Sequence, residues 1–436
     1  MFLSARTLKL LALSAPFWLL WPLLPFGWVP MCVFLLMLGF LTVRDALGLP
    51  NLHDFICVRT LPARFSFDIQ QQIELSLTNK SDMELKLTLR DTLPPLLEQL
   101  DHLPPLLLEA GQTARLIYGV LPVTRGHDVF GDVYVRVSSR LGLVQRQIKL
   151  TCTGDVRVYP RFVGVDKYEL VARIDEREEA LRKARTIRGR GSEFESLRPY
   201  LPGEDLRYVD WKISAKRGSL ISRNYQVEKG QTLAVLIDAG RFMNERIDQY
   251  SRFEYALNAT TMLAHVAQRR GDAMAVATFS NRIESFMPPM KGPKLMAGVL
   301  ESVYKVQPRK VESDYWNVMA QATSRLKKRS LIIMLTDVLD PAGSSGLFNN
   351  LIRATRKHLV LCVVFVDPRI YQIADSTPET DHEIWLKAAA SDLAVQRRLA
   401  LEKMKARGIL VLETSPQSFS PELVRKYLEI RKADLQ

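Results

Sequence analysis

A short segment near the middle of the chain combines alternating charges with a large aromatic ring. Asp205, Arg207 and Asp210 are followed directly by Trp211, and they come after a Pro202-Gly203 pair that is typical of a tight turn. Such a set can form a bidentate Arg–Asp network or a cation–π contact that stiffens a domain junction. It can equally well form a docking surface for another protein.

Side chains that perform catalysis show no comparable clustering. The six histidines are remote in sequence from candidate nucleophiles, and neither a G-x-S-x-G nor a Walker A sequence is present. His265 lies in an apolar helical pattern, which is typical of a core residue rather than a general base. The four cysteines have no CxxC spacing, so neither a disulfide framework nor a zinc site is predicted. We therefore expect a protein that is not an enzyme.

Strands and helices alternate in the last part of the chain. Thr232–Asp238 and Ser330–Asp337 are apolar runs that predict buried strands, whereas Phe253–Arg270 and Ile384–Arg407 have the pattern of helices. Continuous apolar strands separated by helices are typical of a parallel sheet that is covered on both faces. We predict a doubly wound α/β domain over residues 229–436.

A different pattern precedes it. Residues 51–160 contain short runs that alternate apolar and polar side chains, such as Ile73–Leu77, Leu85–Leu89 and Val133–Val137. This is the period of half-buried strands, and the turn signals between the runs predict a small antiparallel β-sandwich. The charged segment 161–190 then predicts a helical connector.

The N-terminal segment is almost wholly apolar. From Leu8 to Val43 the only charged residue is Lys9, and prolines and a glycine interrupt the run near its middle. We predict a transmembrane α-hairpin within residues 1–50, with arms at about 8–24 and 28–43. A cleaved signal peptide and a hydrophobic helical pair in a soluble core are the alternatives.

Charge determines the expected location. Arg6, Lys9 and Arg44 flank the apolar arms, so the positive-inside rule predicts a two-pass protein of the bacterial inner membrane with both termini and the soluble domains in the cytoplasm. The net charge of +13 suits anionic lipid headgroups as well as nucleic acid. No nucleic-acid-binding motif accompanies that charge, and we expect no nucleic-acid partner.

The middle segment, residues 191–228, resembles the signature of the "domain of unknown function fifty-eight" family. Glu204 before Asp205 and Lys216 after Ser-Ala are mild departures from the family pattern. The resemblance, together with the charge pattern, marks one set of residues as a candidate interaction motif. They are Arg198, Tyr200, Pro202, Gly203, Asp205, Arg207, Asp210, Trp211, Ser214 and Arg223.

The resemblance implies that residues 229–436 are similar to a von Willebrand factor A domain, in which a metal site lies at the carboxyl ends of the strands. That site needs Asp-x-Ser-x-Ser after the first strand and a later aspartate. Here the first strand ends Asp238-Ala-Gly240-Arg-Phe242, which lacks both serines, while Asp337 matches the late aspartate. The site also takes a threonine from a middle loop, and Ser313 beside Asp314 is a candidate substitute for that hydroxyl. We expect Asp238 and Asp337 to form a degenerate site that does not hold Mg²⁺. As an alternative, they cap helices or fix loops at the sheet edge.

Function follows from the same resemblance. It implies a membrane-anchored, non-catalytic adaptor that works with a MoxR-type AAA+ ATPase, and with other membrane or A-domain proteins, in the assembly or maturation of client proteins. The competing hypothesis is a metal-dependent enzyme that acts on a cell-envelope substrate through Asp238 and Asp337.

Overall fold

The computed structural model describes residues 1–20, 28–161, 193–201, 206, 209–226, 231–337 and 345–434. The chain divides into two compact units, residues 1–161 and 162–436. The predicted connector falls outside the described residues from position 162 onwards.

The first unit is built from short strands in three sheets. One sheet has the order β1-β11-β10-β5-β7, the second β2-β4-β8-β6 and the third β3-β12-β9. All pairings in these sheets are antiparallel except that between β3 and β12. The strands are β1 (Phe2–Leu3), β2 (Phe55–Thr60), β3 (Phe65–Ser66), β4 (Gln71–Asn79), β5 (Leu85–Asp91), β6 (Leu97–Gln99), β7 (Leu106–Leu108), β8 (Thr113–Pro122), β9 (Gly126–Phe130), β10 (Val133–Ser138), β11 (Val144–Leu150) and β12 (Gly154–Tyr159).

The core of this unit is formed by every second side chain of its strands. Leu75 and Leu77 of β4 are fully buried together with Leu87 of β5 and Val135 of β10, and they belong to one apolar cluster. Because successive residues of a strand point to opposite faces, every second residue of these runs enters the core. The short alternating runs predicted between residues 51 and 160 therefore correspond to real strands.

A buried ion pair crosses this core. The guanidinium of Arg59 on β2 donates to the carboxylate of Asp91 on β5, and both side chains are almost fully buried. The hydroxyl of Tyr118 on β8 donates to the same carboxylate at 2.5 Å. The pair is fully partnered, as a buried charge must be, and it ties three strands together.

Two helices lie near the N-terminus, α1 (Ala5–Leu20) and α2 (Trp28–Leu47). Among the residues that the structure describes, no helix combines the length and the apolar character needed to cross a membrane. The predicted transmembrane hairpin is therefore wrong, and so is the two-pass location in the bacterial inner membrane that rested on it. The turn between its arms lies outside the described residues.

The reason lies in how the two helices end. α1 has 16 residues, or about 24 Å of helix, against roughly 30 Å of bilayer hydrocarbon. α2 continues past the apolar run into Arg44 and Asp45. Asp45 is buried and accepts hydrogen bonds from the hydroxyl of Ser139 and from two backbone N–H groups, so the end of α2 is held by the β unit.

The first described element of the second unit is a two-stranded antiparallel sheet. It consists of β13 (Glu193–Pro199) and β14 (Ile221–Gln226), and the helix α3 (Trp211–Arg217) lies between them in sequence. Gly218 ends α3 in the left-handed conformation, with φ of 68°, which glycine adopts at little cost.

A six-stranded sheet forms the rest of this unit. Its strand order is β19-β18-β15-β20-β21-β22, and all neighbours are parallel except β18 and β19. The chain starts in the interior of the sheet, at β15, builds outward to β19 and then continues on the other side from β20. The strands are β15 (Thr232–Asp238), β18 (Ala273–Phe279), β19 (Ile283–Met290), β20 (Leu331–Thr336), β21 (Leu359–Phe365) and β22 (Leu410–Thr414), and a short hairpin is formed by β16 (Arg246–Ile247) and β17 (Tyr250–Ser251).

Helices cover both faces of this sheet. One apolar cluster joins the sheet to α4, α5 and α10, and a second cluster joins its other face to α6, α7 and α9. Ser251 caps α4 by accepting a hydrogen bond from the backbone N–H of Glu254, which explains where that helix begins. The helices are α4 (Arg252–Arg270), α5 (Leu295–Val303), α6 (Tyr315–Arg325), α7 (Ser345–Thr355), α8 (Pro368–Asp375), α9 (Asp381–Ala406) and α10 (Phe419–Asp434).

This strand order creates a switch point in the sheet, between β15 and β20. β15 and β20 are neighbours, and the chain leaves them in opposite directions along the sheet. In open α/β sheets, ligands bind outside the carboxyl ends of the strands at such a switch point. Asp238 ends β15 and Asp337 directly follows β20, so both candidate metal ligands lie at this edge.

Candidate functional site

The signature segment contains a buried polar framework. Asp210 is buried and caps α3, because its carboxylate accepts hydrogen bonds from the backbone N–H groups of Lys212 at 3.1 Å and Ile213 at 3.2 Å. The hydroxyl of Ser214 is also buried and accepts from the backbone N–H of Ile221 at 2.9 Å. These two signature residues therefore attach α3 to the start of β14.

Trp211 lies beside this framework but faces outward. Its side chain is 62% exposed, although it is the first residue of α3 and follows a buried aspartate. It does not belong to the buried network that its position next to Asp210 suggests. The Trp211 ring is therefore available for contact with another molecule.

Three leucines near Trp211 are exposed as well. Leu201, Leu206 and Leu220 are each at least 44% exposed. Backbone hydrogen bonds keep this part of the chain together, because the N–H of Tyr200 donates to the carbonyl of Leu220 and the N–H of Asp210 donates to that of Ile221. We call Leu201, Leu206, Trp211 and Leu220 the signature surface.

The remaining signature residues are only partly described. Arg198 and Tyr200 are half-buried at the end of β13. Arg223 lies in β14, opposite Leu197. Pro202, Gly203, Asp205 and Arg207 lie outside the described residues, so the predicted Arg–Asp network remains a prediction.

At the sheet edge, Asp238 is enclosed by hydrogen-bond donors. Its Oδ1 accepts from the backbone N–H of Gly240 at 2.8 Å and from Ser313 Oγ at 2.5 Å. Its Oδ2 accepts from the hydroxyls of Tyr315 at 2.8 Å and Thr336 at 2.7 Å. The carboxylate is buried, and neutral protein groups bind both of its oxygens.

Ser313 supplies a hydroxyl that the local sequence motif lacks. Gly240 stands where the metal-binding motif has its first serine, and a Cβ placed at position 240 would clash with Ser313 Oγ. The hydroxyl of Ser313 thus fills the space of the missing side chain at position 240. A residue 75 positions away along the chain provides the contact to Asp238.

Burial dominates the electrostatics of this carboxylate. It raises the pKa of Asp238 above its ordinary value, and the four hydrogen bonds act in the opposite direction without cancelling it. The pKa of Tyr315 is raised well above its ordinary value by burial and then by the neighbouring Asp238 charge. Both groups are thereby less inclined to ionise than in water.

Asp337 has a different environment, made of arginines. Its Oδ2 lies 3.0 Å from Nη1 of Arg252, and its Oδ1 accepts from Nη1 of Arg397 at 3.3 Å. All three side chains are almost completely buried. Arg252 begins α4 on one face of the sheet and Arg397 lies in α9 on the other, so Asp337 joins helices from both faces.

Each arginine is also held by the surrounding backbone. Arg252 donates to the carbonyl of Phe242 at 3.1 Å and to the carboxylate of Glu245 at 2.8 Å. Arg397 donates to the carbonyl of Phe365. Their orientation is therefore fixed, and the charge of Asp337 is matched inside the fold.

These surroundings do not fit a divalent cation. Mg²⁺ requires oxygen ligands that are free to coordinate it, but Asp337 faces two guanidinium groups and both oxygens of Asp238 already accept hydrogen bonds from protein donors. In the described ranges, no three His, Cys, Asp or Glu side chains are grouped as metal ligands would be. The arrangement matches a structural role for both aspartates.

Sequence reasoning missed the partners of these aspartates. Arg252, Tyr315 and Arg397 are isolated polar residues in helical segments, and nothing in their local spacing marks them. Ser313 was the exception, since its position beside Asp314 in the middle of the domain suggested a substitute hydroxyl, and it does contact Asp238.

The fold and these contacts define the class of protein: a sheet domain with a signature helix and a switch-point edge closed by its own side chains. Residues 196–400 match the family described as "Protein of unknown function DUF58". This region contains most of the signature segment and the sheet as far as α9. The signature predicted a resemblance to this family, and the match over residues 196–400 confirms it for that part of the chain.

A curated relative supports the same assignment. "Uncharacterized protein YeaD" from Bacillus subtilis (strain 168) is 26% identical over 170 residues, which are 39% of this chain. The match spans only 40% of the length of that relative.

The solved structures have lower sequence identity to this chain. BatB, a conserved hypothetical protein from Bacteroides thetaiotaomicron, is 12% identical with a TM-score of 0.33, and the match covers 47% of this chain and 100% of that one. An aerotolerance-related membrane protein from Bacteroides fragilis NCTC 9343 is 10% identical with a TM-score of 0.31, covering 46% and 99%. A Salmonella alpha-2-macroglobulin is 18% identical with a TM-score of 0.20, covering 24% of this chain and 7% of that one. TM-scores of this size do not establish a common fold.

Proposed function

We propose that this chain is a non-catalytic interaction protein that docks a partner protein through the signature surface. The observation that carries the proposal is the exposure of Trp211 on a framework built by Asp210 and Ser214. The framework fixes the start of α3, so the ring is presented from a rigid base. Tryptophan is enriched among the residues that contribute most to protein–protein binding.

The chemistry at the sheet edge supports a role other than catalysis. Both oxygens of Asp238 accept hydrogen bonds from the fold, and Asp337 forms buried ion pairs with Arg252 and Arg397. The buried thiol of Cys362 is also unsuited to act as a nucleophile, because burial raises its pKa to about 12. Asp238, Asp337 and Cys362 are thus held in environments that do not favour reaction.

The partner we propose is a MoxR-type AAA+ ATPase, with assembly or maturation of client proteins as the shared task. This choice follows from the family resemblance of residues 191–228. An exposed Trp with flanking leucines suits an apolar pocket on such a partner.

Co-purification tests the proposal. The tagged full chain is isolated from its own organism, bound AAA+ ATPases are identified by mass spectrometry, and the ATPase found is purified and titrated against the chain. We expect Trp211→Ala to weaken this binding at least about tenfold. Trp385→Ala is the matched control, because Trp385 is 77% exposed on α9 and lies outside the signature surface.

Two results would refute the proposal. One is the absence of any AAA+ ATPase with the wild-type chain. The other is equal loss of binding in Trp211→Ala and Trp385→Ala, which would show that exposed tryptophans matter without regard to position.

A further inference from the structure

A groove lies between α6 and α7, on one face of the six-stranded sheet. Its volume is about 320 Å³. α6 lines it with Trp316, Met319 and Thr323, whereas α7 lines it with Asn350 and Arg353. The lining residues recur every three or four positions on each helix, so each helix presents one continuous stripe to the groove.

The two chain segments that contain the lining residues carry charge of one sign. The segment 316–329 contains four Lys or Arg residues and the segment 345–358 contains three, and neither contains Asp or Glu. Arg353 and Lys357 line the groove itself and are exposed.

An arginine fixes the aromatic ring at the mouth of the groove. The guanidinium of Arg353 lies 4.7 Å from the ring centroid of Trp316, and the tryptophan remains 56% exposed. A cation–π contact of this kind restrains both side chains before any ligand arrives. The groove therefore offers a restrained and exposed aromatic ring next to a positive charge.

The inner part of the groove is built from buried side chains. Met319 and Ala354 are buried beneath it. His358 is buried as well, and its Nδ1 accepts a hydrogen bond from the backbone N–H of Ser330 at 3.3 Å. The groove thus combines a packed base, the exposed Trp316 ring and cations at its rim.

From this combination we propose that the groove binds an amphipathic, acidic helix of a partner protein. The two stripes form the groove that a third helix packs into, with its apolar face against Trp316 and Ala320 and its carboxylates near Arg353 and Lys357. The charge complementarity selects an acidic partner, and the exposed Trp316 ring selects a partner with an apolar helix face rather than a bare polyanion. This inference goes beyond the proposed function and involves residues other than the signature surface.

A designed peptide tests it on the full chain. The probe is a 15-residue helix with leucines at positions i, i+3, i+4 and i+7 and glutamates elsewhere, labelled for fluorescence anisotropy. We expect micromolar binding, and we expect the double variant Arg353→Glu and Lys357→Glu to weaken it at least about tenfold. Trp316→Ala should weaken it about fivefold or more.

A matched charge control is available in the same unit. Lys291 and Lys294 are exposed and lie outside the groove, so Lys291→Glu with Lys294→Glu changes the net charge by the same amount. We expect less than a twofold effect from this pair. Lys357→Glu alone, at an exposed position, provides a milder variant should the double replacement at the groove unfold the domain.

Cross-linking locates the bound peptide. A benzophenone on the apolar face of the probe should attach to α6 or α7, with the exposed lining residues Trp316 and Ala320 as the expected sites. The proposal would be overturned by absent binding, by cross-links confined to other segments, or by equal losses in the groove and control variants. It would also be overturned if a scrambled peptide, or a 15-nucleotide single-stranded DNA, bound as tightly as the helical probe.

Discussion

Ser313 donates a hydrogen bond to the carboxylate of Asp238 and fills the space that a side chain at position 240 would need. In a metal-binding A domain, a serine of the motif stands two positions after the aspartate. Here that position is Gly240, and Ser313 of another loop supplies the hydroxyl instead. A Cβ at position 240 would clash with Ser313 Oγ and lie 3.0 Å from the carbonyl oxygen of Val311, so glycine fits this position without displacing either group.

Replacement of this glycine should destabilise the protein. Gly240→Ala puts a methyl group into the space of the Ser313 hydroxyl, and overpacking of a buried site costs about 1–3 kcal/mol. The free energy of unfolding, from urea titration of the full chain, measures the effect. Because Ser313→Ala frees part of that space, the double variant should lose less than the sum of the single losses. Strict additivity would show that Ser313 is not what excludes a side chain at position 240.

Asp238 should produce a pH dependence of a defined sign. Its pKa in the folded chain is raised by burial, so the folded state holds the proton more tightly than the unfolded state does. Stability from this group is therefore greatest below the unfolded pKa of about 3.9, falls as pH rises through the folded pKa, and stays lower above it.

Asp238→Asn removes this titration while keeping the shape of the side chain. The stability of Asp238→Asn relative to wild type should therefore increase from pH 4 to pH 7. Thermal or urea unfolding of both proteins at several pH values measures the difference, in which the other carboxylates cancel. A difference that decreases with pH would mean that the hydrogen bonds outweigh burial and lower the pKa.

Asp337 should matter more for stability than any exposed carboxylate. Asp337→Asn leaves the guanidinium groups of Arg252 and Arg397 without their shared buried anion, and the loss of one partner from a buried ion pair costs roughly 3–5 kcal/mol. Asp392→Asn on α9 is the control, since Asp392 is exposed and should change the free energy of unfolding by less than about 0.5 kcal/mol. Similar effects of the two replacements would contradict a structural role for Asp337.

Metal analysis addresses the same edge of the sheet. Because Asp337 faces two arginines and Asp238 faces four neutral donors, we expect the purified full chain to bind no stoichiometric Mg²⁺ or Mn²⁺. Isothermal titration with either ion measures this directly. A stoichiometric binding event that disappears in Asp238→Ala would revive the metal-dependent alternative.

Periodicity allowed much of the sheet to be predicted. The strand Thr232–Asp238 has the bounds that its apolar run predicts, and the strand after Ser330 begins one residue later than predicted. These runs are buried on both faces, so hydrophobicity alone marks them. A contact between residues far apart in sequence leaves no such pattern, which is why the contacts of Arg252 and Arg397 with Asp337 were not predicted.

The N-terminal error has a related cause. Apolar composition over residues 8–43 predicts a bilayer, but it does not show where a helix ends or what holds that end. The contact of Asp45 with Ser139 joins residues 94 positions apart and is invisible in a hydropathy pattern. For Trp211, sequence left open whether the ring is buried or exposed, and only the fold assigns it to the surface.

The two halves of the signature should therefore respond differently to mutation. Asp210→Ala removes the cap of α3, and loss of such a cap costs about 0.5–2 kcal/mol. Trp211→Ala removes a mostly exposed ring and should change stability by no more than about 0.5 kcal/mol. Urea unfolding of the full chain measures both, and amide hydrogen exchange in residues 211–217 measures the local effect. Asp210→Ala should speed exchange in α3, because the capped N–H groups lose their acceptor, whereas Trp211→Ala should leave it nearly unchanged. If Trp211→Ala destabilised α3 as much as Asp210→Ala does, the ring would belong to the framework, and the signature surface would lose its central residue.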